Sequence, residues 1–350
     1  MKTLFTSDYC EGALPRIMQR LQETNMVQTV GYGEDEFCAR ARELIRKACG
    51  RDDVDVHFLV GGTQTNATVI SSILKPYQGV LCAESGHINV HETGAVEHGG
   101  HKILALPSPD GKITAEQIRE ALDDHFSDAN HEHMVMPGMV YISFSTESGT
   151  IYSKEELTAI SEVCRNYGIP LFVDGARLGY GMAASELVEG DNALTLKDFA
   201  QLADVFYIGG TKQGALFGEA VVITNDTLKE DFRYCIKQGG GMLAKGRLLG
   251  VQFAALFEDG LYMDAARRAV GQAARIREAL ERRRFEFLVD SPTNQVFPIL
   301  TTEQVEKMDK DFGFEIWKKF PDGRIAVRFC TSWATPDANV NHLINAIKQL

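Results

Sequence analysis

The chain of 350 residues is short of three things, and each shortage removes a class of function. Its cysteines make no pattern: Cys10, Cys38, Cys49, Cys82, Cys164, Cys235 and Cys330 are scattered, odd in number and without a C-x-x-C pair. A disulfide scaffold or a zinc ribbon is therefore not expected, and free buried thiols in a reducing compartment are. No apolar run approaches the ~20 residues needed to span a bilayer. Nor does the segment before Asp8 and Glu11 carry a signal-peptide core, so a cytoplasmic protein without membrane contact is expected. Basic charge is also in deficit. With 36 Lys and Arg against 48 Asp and Glu, the formal net charge is -12, which excludes the broad basic surface of a nucleic-acid binder. The 44% hydrophobic and 24% charged content is that of a globular chain, and the length suits two domains. His125, His131 and His133 lie near Asp123, Asp124 and Asp128, which reads either as a metal site or as a solvated loop; no metal is expected there.

No internal repeat or low-complexity stretch interrupts the chain, and strands alternate with helices. Val54 to Val60 steps with period two and stops at Gly61-Gly62; a helix is expected from Thr65 to Leu74. Ile103–Leu106 is a short strand, followed by a helix over 113–122 with Thr114 as N-cap and Gln117 three residues on. Met139–Ser143 reads as a buried strand. Ser153 and Glu156 flank the start of a helix to Asn166. Strands at 169–173, 204–208 and 220–223 and a helix at 196–202 follow. The pattern predicts an α/β fold with a largely parallel sheet covered by helices on both faces. A long charge-patterned helical stretch spans 248–284. After it come short strands at 295–299 and 325–329 and a helix over 339–350, read as a smaller C-terminal α+β domain. The boundary is placed near 245–260, giving a large domain over 1–250 and a small one over 251–350.

Ligands of open α/β sheets bind beyond the carboxyl ends of the strands. Three features sit at such ends. Gly61-Gly62-Thr63-Gln64 opens a helix, and reads either as an anion cup or as a plain glycine turn. Asp174 ends an apolar strand, so it is buried and needs compensation; Arg177, three residues on, is the nearest cation, and a structural Asp174–Arg177 pair is the alternative to a functional carboxylate. Lys212 lies in Gly209-Gly210-Thr211-Lys212-Gln213-Gly214, either as a surface lysine or as an amine in a partly dry pocket, able to form Schiff bases. Taken together in this order, they are what pyridoxal 5′-phosphate requires: a phosphate cup, a carboxylate that keeps the pyridine nitrogen protonated, and a lysine for the Schiff base at C4′. His87, between cup and carboxylate, is placed to stack on a flat ring.

At these residues the sequence resembles the threonine aldolase and aromatic amino acid β-eliminating lyase family of fold-type I pyridoxal phosphate enzymes. The resemblance runs from Ser7-Asp8 into the C-terminal part. It covers Gly31-Tyr32-Gly33-Glu34-Asp35, Gly62-Thr63-Gln64-Thr65-Asn66, His87-Ile88 with Glu92 and Gly94, Asp174-Gly175-Ala176-Arg177, Thr211-Lys212, Gly239-Gly240-Gly241-Met242 and Arg328-Phe329-Cys330-Thr331. It implies a fold-type I transferase-like architecture with a seven-stranded, mainly parallel sheet and an N-terminal segment, 1–20, that contacts the site. By resemblance, Lys212 carries the Schiff base, Asp174 pairs with the pyridinium and His87 stacks on the ring, while Gly62, Thr63 and Gln64 hold the phosphate. Arg177, Ser7 and Arg328 bind the substrate carboxylate, with Arg177 alternatively assisting the cofactor oxygen. Tyr32 reaches the site of a neighbouring subunit in a homodimer or homotetramer.

The implied activity is aldehyde-lyase cleavage of L-threonine, L-allo-threonine or a related β-hydroxy-α-amino acid to glycine and an aldehyde. β-Elimination to a keto acid and ammonia is the alternative. Two rivals come from other classes: a protein that binds the cofactor without turnover, and a sheet protein using Lys212 to hold a nucleotide phosphate. The sequence departs from the resembled pattern at several places. The family's E-N-T-H gives way to Ser143-Phe144-Ser145-Thr146-Glu147, with Ser145 placed where its histidine is expected. The base is then His87, His91, Glu147 or a water, or the reaction differs. G-G-G-M is followed by Leu243-Ala244 rather than Arg-Gln, with Lys237 or Lys245 as possible substitutes, and His91 stands where an aromatic is common.

Overall fold

The computed structural model describes residues 2–350. Its strands are β1 (Thr3–Leu4), β2 (Asp55–Leu59), β3 (Gln78–Ala83), β4 (Lys102–Leu106), β5 (Met136–Ser143), β6 (Leu171–Asp174), β7 (Val205–Gly209), β8 (Glu219–Ile223), β9 (Gln295–Val296), β10 (Ile299–Leu300), β11 (Phe312–Gly313), β12 (Glu315–Lys319) and β13 (Ile325–Cys330). Seven of them form one sheet in the order β2-β8-β7-β6-β5-β3-β4. Strand β8 runs antiparallel to both β2 and β7, and the pairings from β7 through to β4 are parallel. Residues alternate between the two faces of β5: Val140 and Ile142 join one core cluster, Met139 and Tyr141 the other. Both faces are thus covered, as a mainly parallel sheet requires.

Local chemistry sets the helix starts. Thr114 and Gln117 cap the Ala115–Ser127 helix reciprocally, the threonine hydroxyl accepting from the Gln117 N–H at 3.2 Å and the Gln117 carboxamide from the Thr114 N–H at 2.9 Å. Ser153 and Glu156 do the same for Lys154–Tyr167. The expected helical stretch from 248 to 284 is instead two helices, Arg247–Phe257 and Leu261–Arg282. Asp259 and Gly260, at φ 55° and 75°, take left-handed conformations that end the first and redirect the chain. The expected strand at 295–299 is split into β9 and β10, because Pro298 offers no N–H to a ladder.

The smaller sheet has the order β10-β13-β12, with β9 also pairing β13. It packs under the Leu261–Arg282 and Asp337–Ile347 helices through Ile276, Leu280, Val327, Val340 and Leu343. The N-terminal segment belongs to this core as well: β1 pairs with β11, and Phe5 is fully buried within it. The Leu261–Arg282 helix also packs on Leu178–Glu189 beside the large sheet, through Ala266, Ala269 and Tyr180. No described helix is long and apolar enough to cross a membrane. All seven cysteines are free, and among the described residues no group of three His, Cys, Asp or Glu is arranged to hold a metal.

Candidate active site

The carboxyl ends of β2, β3, β5, β6 and β7 and the amino end of antiparallel β8 meet at one edge of the large sheet. A cavity of about 350 Å³ opens there, lined among others by Gly62, Thr63, His87, Glu147, Asp174, Arg177, Lys212 and Glu219. The connection from β7 to antiparallel β8 is a tight turn, with Gly210 C=O accepting from Gln213 N–H at 2.9 Å and Ala215 N–H at 3.0 Å. The Tyr180 hydroxyl fixes the lysine in this turn by donating to the Lys212 carbonyl at 2.6 Å. Among the described residues no carboxylate stands within 4.0 Å of Lys212 Nζ, and burial, then the Arg177 charge, lower the pKa of this amine.

Asp174 is 4% exposed. Tyr141 and Tyr207 each donate a hydroxyl to it at 2.5 Å, Asn66 Nδ2 donates at 2.9 Å and the Ala176 N–H at 3.0 Å. Burial pushes its pKa up, but the two tyrosine hydroxyls and the Ala176 amide outweigh this and hold it below the usual carboxylate range. The spacing-based pairing with Arg177 is not what forms. Arg177 forks instead onto Asp8, at 2.7 and 3.1 Å, and Asn294 Nδ2 donates to the same carboxylate at 2.9 Å. Asp8 is fully buried; desolvation pushes its pKa up, but the Arg177 and Lys212 charges together with the Arg177 and Asn294 hydrogen bonds bring it below the usual value. Asp174 is therefore a buried anion held only by neutral donors. An ion of this kind is costly unless a cation reaches it, and a protonated pyridine nitrogen supplies one.

The phosphate end is equally specific. The first-turn N–H groups of the Gly62–Ile73 helix have no intrahelical acceptor and face the cavity rim. A Cβ on Gly62 would stand 3.2 Å from the Tyr207 hydroxyl, so glycine leaves that approach open. At Asp174-Gly175 the demand is stronger: a Cβ on Gly175 would lie 1.8 Å from the Tyr207 carbonyl, since β6 and β7 close up where they deliver Asp174 and Lys212. An aspartate held in its ionised form, a lysine without a carboxylate partner and a helix N-terminus with free N–H groups, all on one cavity, fit pyridoxal phosphate.

The chain matches the β-eliminating lyase family over residues 5–303. It is 32% identical to the low specificity L-threonine aldolase of Pseudomonas sp. (strain NCIMB 10558) over 348 residues, spanning 98% of this chain and 96% of that relative. The chain belongs to the β-eliminating lyase family. A solved structure titled as Leishmania major threonine aldolase superposes with a TM-score of 0.95 at 42% identity, covering 99% of both chains. A variant of the Thermus thermophilus aspartate aminotransferase superposes at 0.70 with 13% identity, covering 100% of this chain and 92% of that one, a likeness of fold alone. The architecture of the chain is that of the fold-type I enzymes.

Of the other sequence-derived residues, Ser145 and Glu147 line the cavity and the rest stand around it. The Gln64 side chain holds the loop behind the cup, accepting from Val60 N–H at 3.2 Å and donating to Gly239 C=O at 3.0 Å. Ser7 contacts the Cys10 thiol at 3.3 Å. Arg328 donates to the Gln295 carboxamide at 3.0 Å and the Thr6 carbonyl at 2.9 Å, and forms an ion pair with Glu315. Tyr32 lines a separate cleft with Arg233 and Met242, and Lys237 lies 5.0 Å above its ring. Ser145 and Glu147 both line the main cavity. The His91 ring stands 5.5 Å from that of His87 and outside the lining.

Among the residues that support the site, Asn66 and Glu92 were legible only as parts of motifs, and Glu219 and the roles of Tyr141 and Tyr207 were not legible. His87 Nδ1 pairs with buried Glu92 at 2.7 Å, and Asn66 Nδ2 joins Glu92 to Asp174 at 2.8 and 2.9 Å. Burial opposes the protonation of His87, but the Glu92 hydrogen bond and the Asp174 charge raise its pKa. Glu219, opposite Gly209 on β8, accepts from Gly210 N–H at 3.0 Å and the Thr211 hydroxyl at 2.8 Å; burial pushes it up to about 8. A phenol in a buried strand needs a hydrogen-bond partner, which was the available signal for Tyr141 and Tyr207.

Proposed function

We propose that the protein is a pyridoxal phosphate-dependent aldehyde-lyase that cleaves L-threonine, L-allo-threonine or a related β-hydroxy-α-amino acid to glycine and an aldehyde. The single observation that carries the reading is the Asp174 carboxylate, buried, ionised and bonded only to neutral donors, facing the same cavity as Lys212. Full-length relatives named as threonine aldolases support the substrate class. When bound, the cofactor would act as an electron sink for the pair released at the substrate Cα.

In this reading the Gly62, Thr63 and Gln64 amides hold the phosphate, Asp174 keeps the ring nitrogen cationic, and His87 covers the ring with its orientation set by Glu92. Lys212 is the point of covalent attachment, and burial, with the Arg177 charge, shifts its amine toward the neutral form that attacks a carbonyl. Arg177, held in a fixed orientation by Asp8, presents its remaining guanidinium N–H groups to the cofactor oxygen or the substrate carboxylate, a task shared with Ser7 and Arg328. We place the enzyme in the cytoplasm as a homodimer or homotetramer. Exposed Met26, Val30 and Tyr32 supply apolar surface for a neighbouring subunit, and Tyr32 is assigned to that neighbour's site.

A panel of amino acids, scored for glycine with aldehyde and for keto acid with ammonia, tests the reading. Threonine or a β-hydroxy homologue is expected to give glycine and the matching aldehyde, and Lys212→Ala to abolish it. Keto acid and ammonia alone would assign β-elimination instead.

A further inference from the structure

The roles assigned above leave one acidic group on the cavity wall without a task. Glu147 follows β5 and uses only one of its carboxylate oxygens. Oε1 accepts the His87 N–H at 3.0 Å and the Ser143 hydroxyl at 2.7 Å. Oε2 is shut off from solvent and has no hydrogen-bond partner. A buried carboxylate oxygen with free lone pairs is costly until a donor reaches it. This side chain lines the cavity beside His87 and Asp174, so the missing donor belongs to whatever binds there.

The other carboxylates on that wall are engaged. Asp174 accepts four hydrogen bonds, two at each oxygen. Glu219 spends one oxygen on Gly210 and the other on Thr211. His87 Nδ1 is tied to Glu92, and Lys212 is reserved for covalent attachment. Resting on the proposed function, the donor that a β-hydroxy-α-amino acid adds, beyond its amino group, is the β-hydroxyl. We propose that Glu147 Oε2 is the catalytic base that accepts the β-hydroxyl proton.

The transfer balances without any oxidant or reductant. The hydroxyl proton moves to Oε2, and the O–H pair becomes the second C–O bond of the aldehyde. The Cα–Cβ pair stays on Cα, where a proton is taken up to give glycine. The group's environment suits the task. Burial raises the Glu147 pKa, the Ser143 hydrogen bond opposes this, Asp174 adds to the rise and His87 lowers it. A base displaced upward from the ordinary carboxylate range lies closer to neutral pH, where proton transfer is most effective.

The test uses the cofactor-loaded protein, with Glu147→Gln and Glu147→Asp variants. Gln retains an oxygen for the His87 and Ser143 contacts and cannot take the proton. Threonine cleavage by Glu147→Gln is expected to lose about 10²–10⁴-fold in kcat, with KM little changed. Its acid limb in the pH profile should disappear. Exchange of the glycine α-hydrogen with deuterated solvent, which needs no β-hydroxyl, should persist, and so should glycine affinity by absorbance titration and the thermal midpoint. Glu147→Asp should fall between parent and Gln in cleavage. Retained cleavage in Glu147→Gln, or exchange falling in parallel with cleavage in both variants, overturns the assignment and leaves the proposed function standing. A parent protein that cleaves no β-hydroxy amino acid overturns both.

Discussion

Asp174 and Arg177 show how burial changes the partners that a charged side chain needs. Three residues apart, they look like one ion pair, yet each is compensated elsewhere: Asp174 by two phenols, a carboxamide and an amide, Arg177 by Asp8 and Asn294. Removing one partner of a buried pair such as Asp8–Arg177 costs about 3–5 kcal/mol, so Asp8 stabilises the fold as well as aiming Arg177. Glu219 is the residue through which the site governs stability against pH. Its folded pKa of about 8 lies above the ordinary value of 4.5 because it is buried. Between those values the folded protein holds a proton that the unfolded chain has released, so stability falls as pH rises through the window. His87 and Glu147, also raised, add to the same slope. Glu219→Gln is expected to flatten, without abolishing, the decline of denaturation free energy between pH 5 and 8 on a urea series; an unchanged slope would contradict the assignment of a buried neutral acid. Lys212 and Asp174 were legible because each terminates or follows a recognisable strand, and His87 because it lies between the cup and the strand of Asp174. Asp8, 169 positions from Arg177, was legible only as part of a matching motif, since no spacing rule connects residues so far apart.

Elements were legible where their ends carry caps. Thr114 and Ser153 announce helices that begin where expected, and the period-two run before Gly61 and the apolar run before Gly175 end as strands. The Leu178–Glu189 helix was not legible: Leu178 through Ser185 are all buried, so it shows no amphipathic face, and its small residues carry no period. Strand β3 was masked by Gly79, a poor strand former that is needed because a Cβ there would stand 2.6 Å from the Lys102 carbonyl of β4. The same logic makes Gly175 the tightest point of the site. Gly175→Ala would drive its methyl group against the Tyr207 carbonyl at 1.8 Å, so β6 and β7 must separate. A loss of at least about 1–3 kcal/mol in chemical denaturation is expected, together with weaker cofactor binding by absorbance. A variant as stable as the parent would show that the two strands are free to move apart.

At the scale of the whole molecule, the seven-stranded sheet and the smaller C-terminal sheet are distinct, and the chain's first residues reach both parts. Phe5 is anchored in the C-terminal core, and three residues later Asp8 fixes Arg177 at the cavity. The site therefore depends on both parts and on the N-terminal segment that links them. Alternation of strand and helix made the large sheet legible. The smaller sheet was legible only in outline, because its strands are short and β12, mostly exposed, lacks a buried face to set a pattern. Strand β8 was expected at 220–223 but its reversed direction was not, because an apolar strand reads the same in either direction. Its reversal nevertheless decides the chemistry, because the turn into it carries Lys212 to the ligand edge. The most direct measurement is hydride reduction of vitamin B6-supplemented protein followed by peptide mass spectrometry. A single reduced phosphopyridoxyl adduct on Lys212 is predicted; an adduct on a different lysine, or none, would contradict the account.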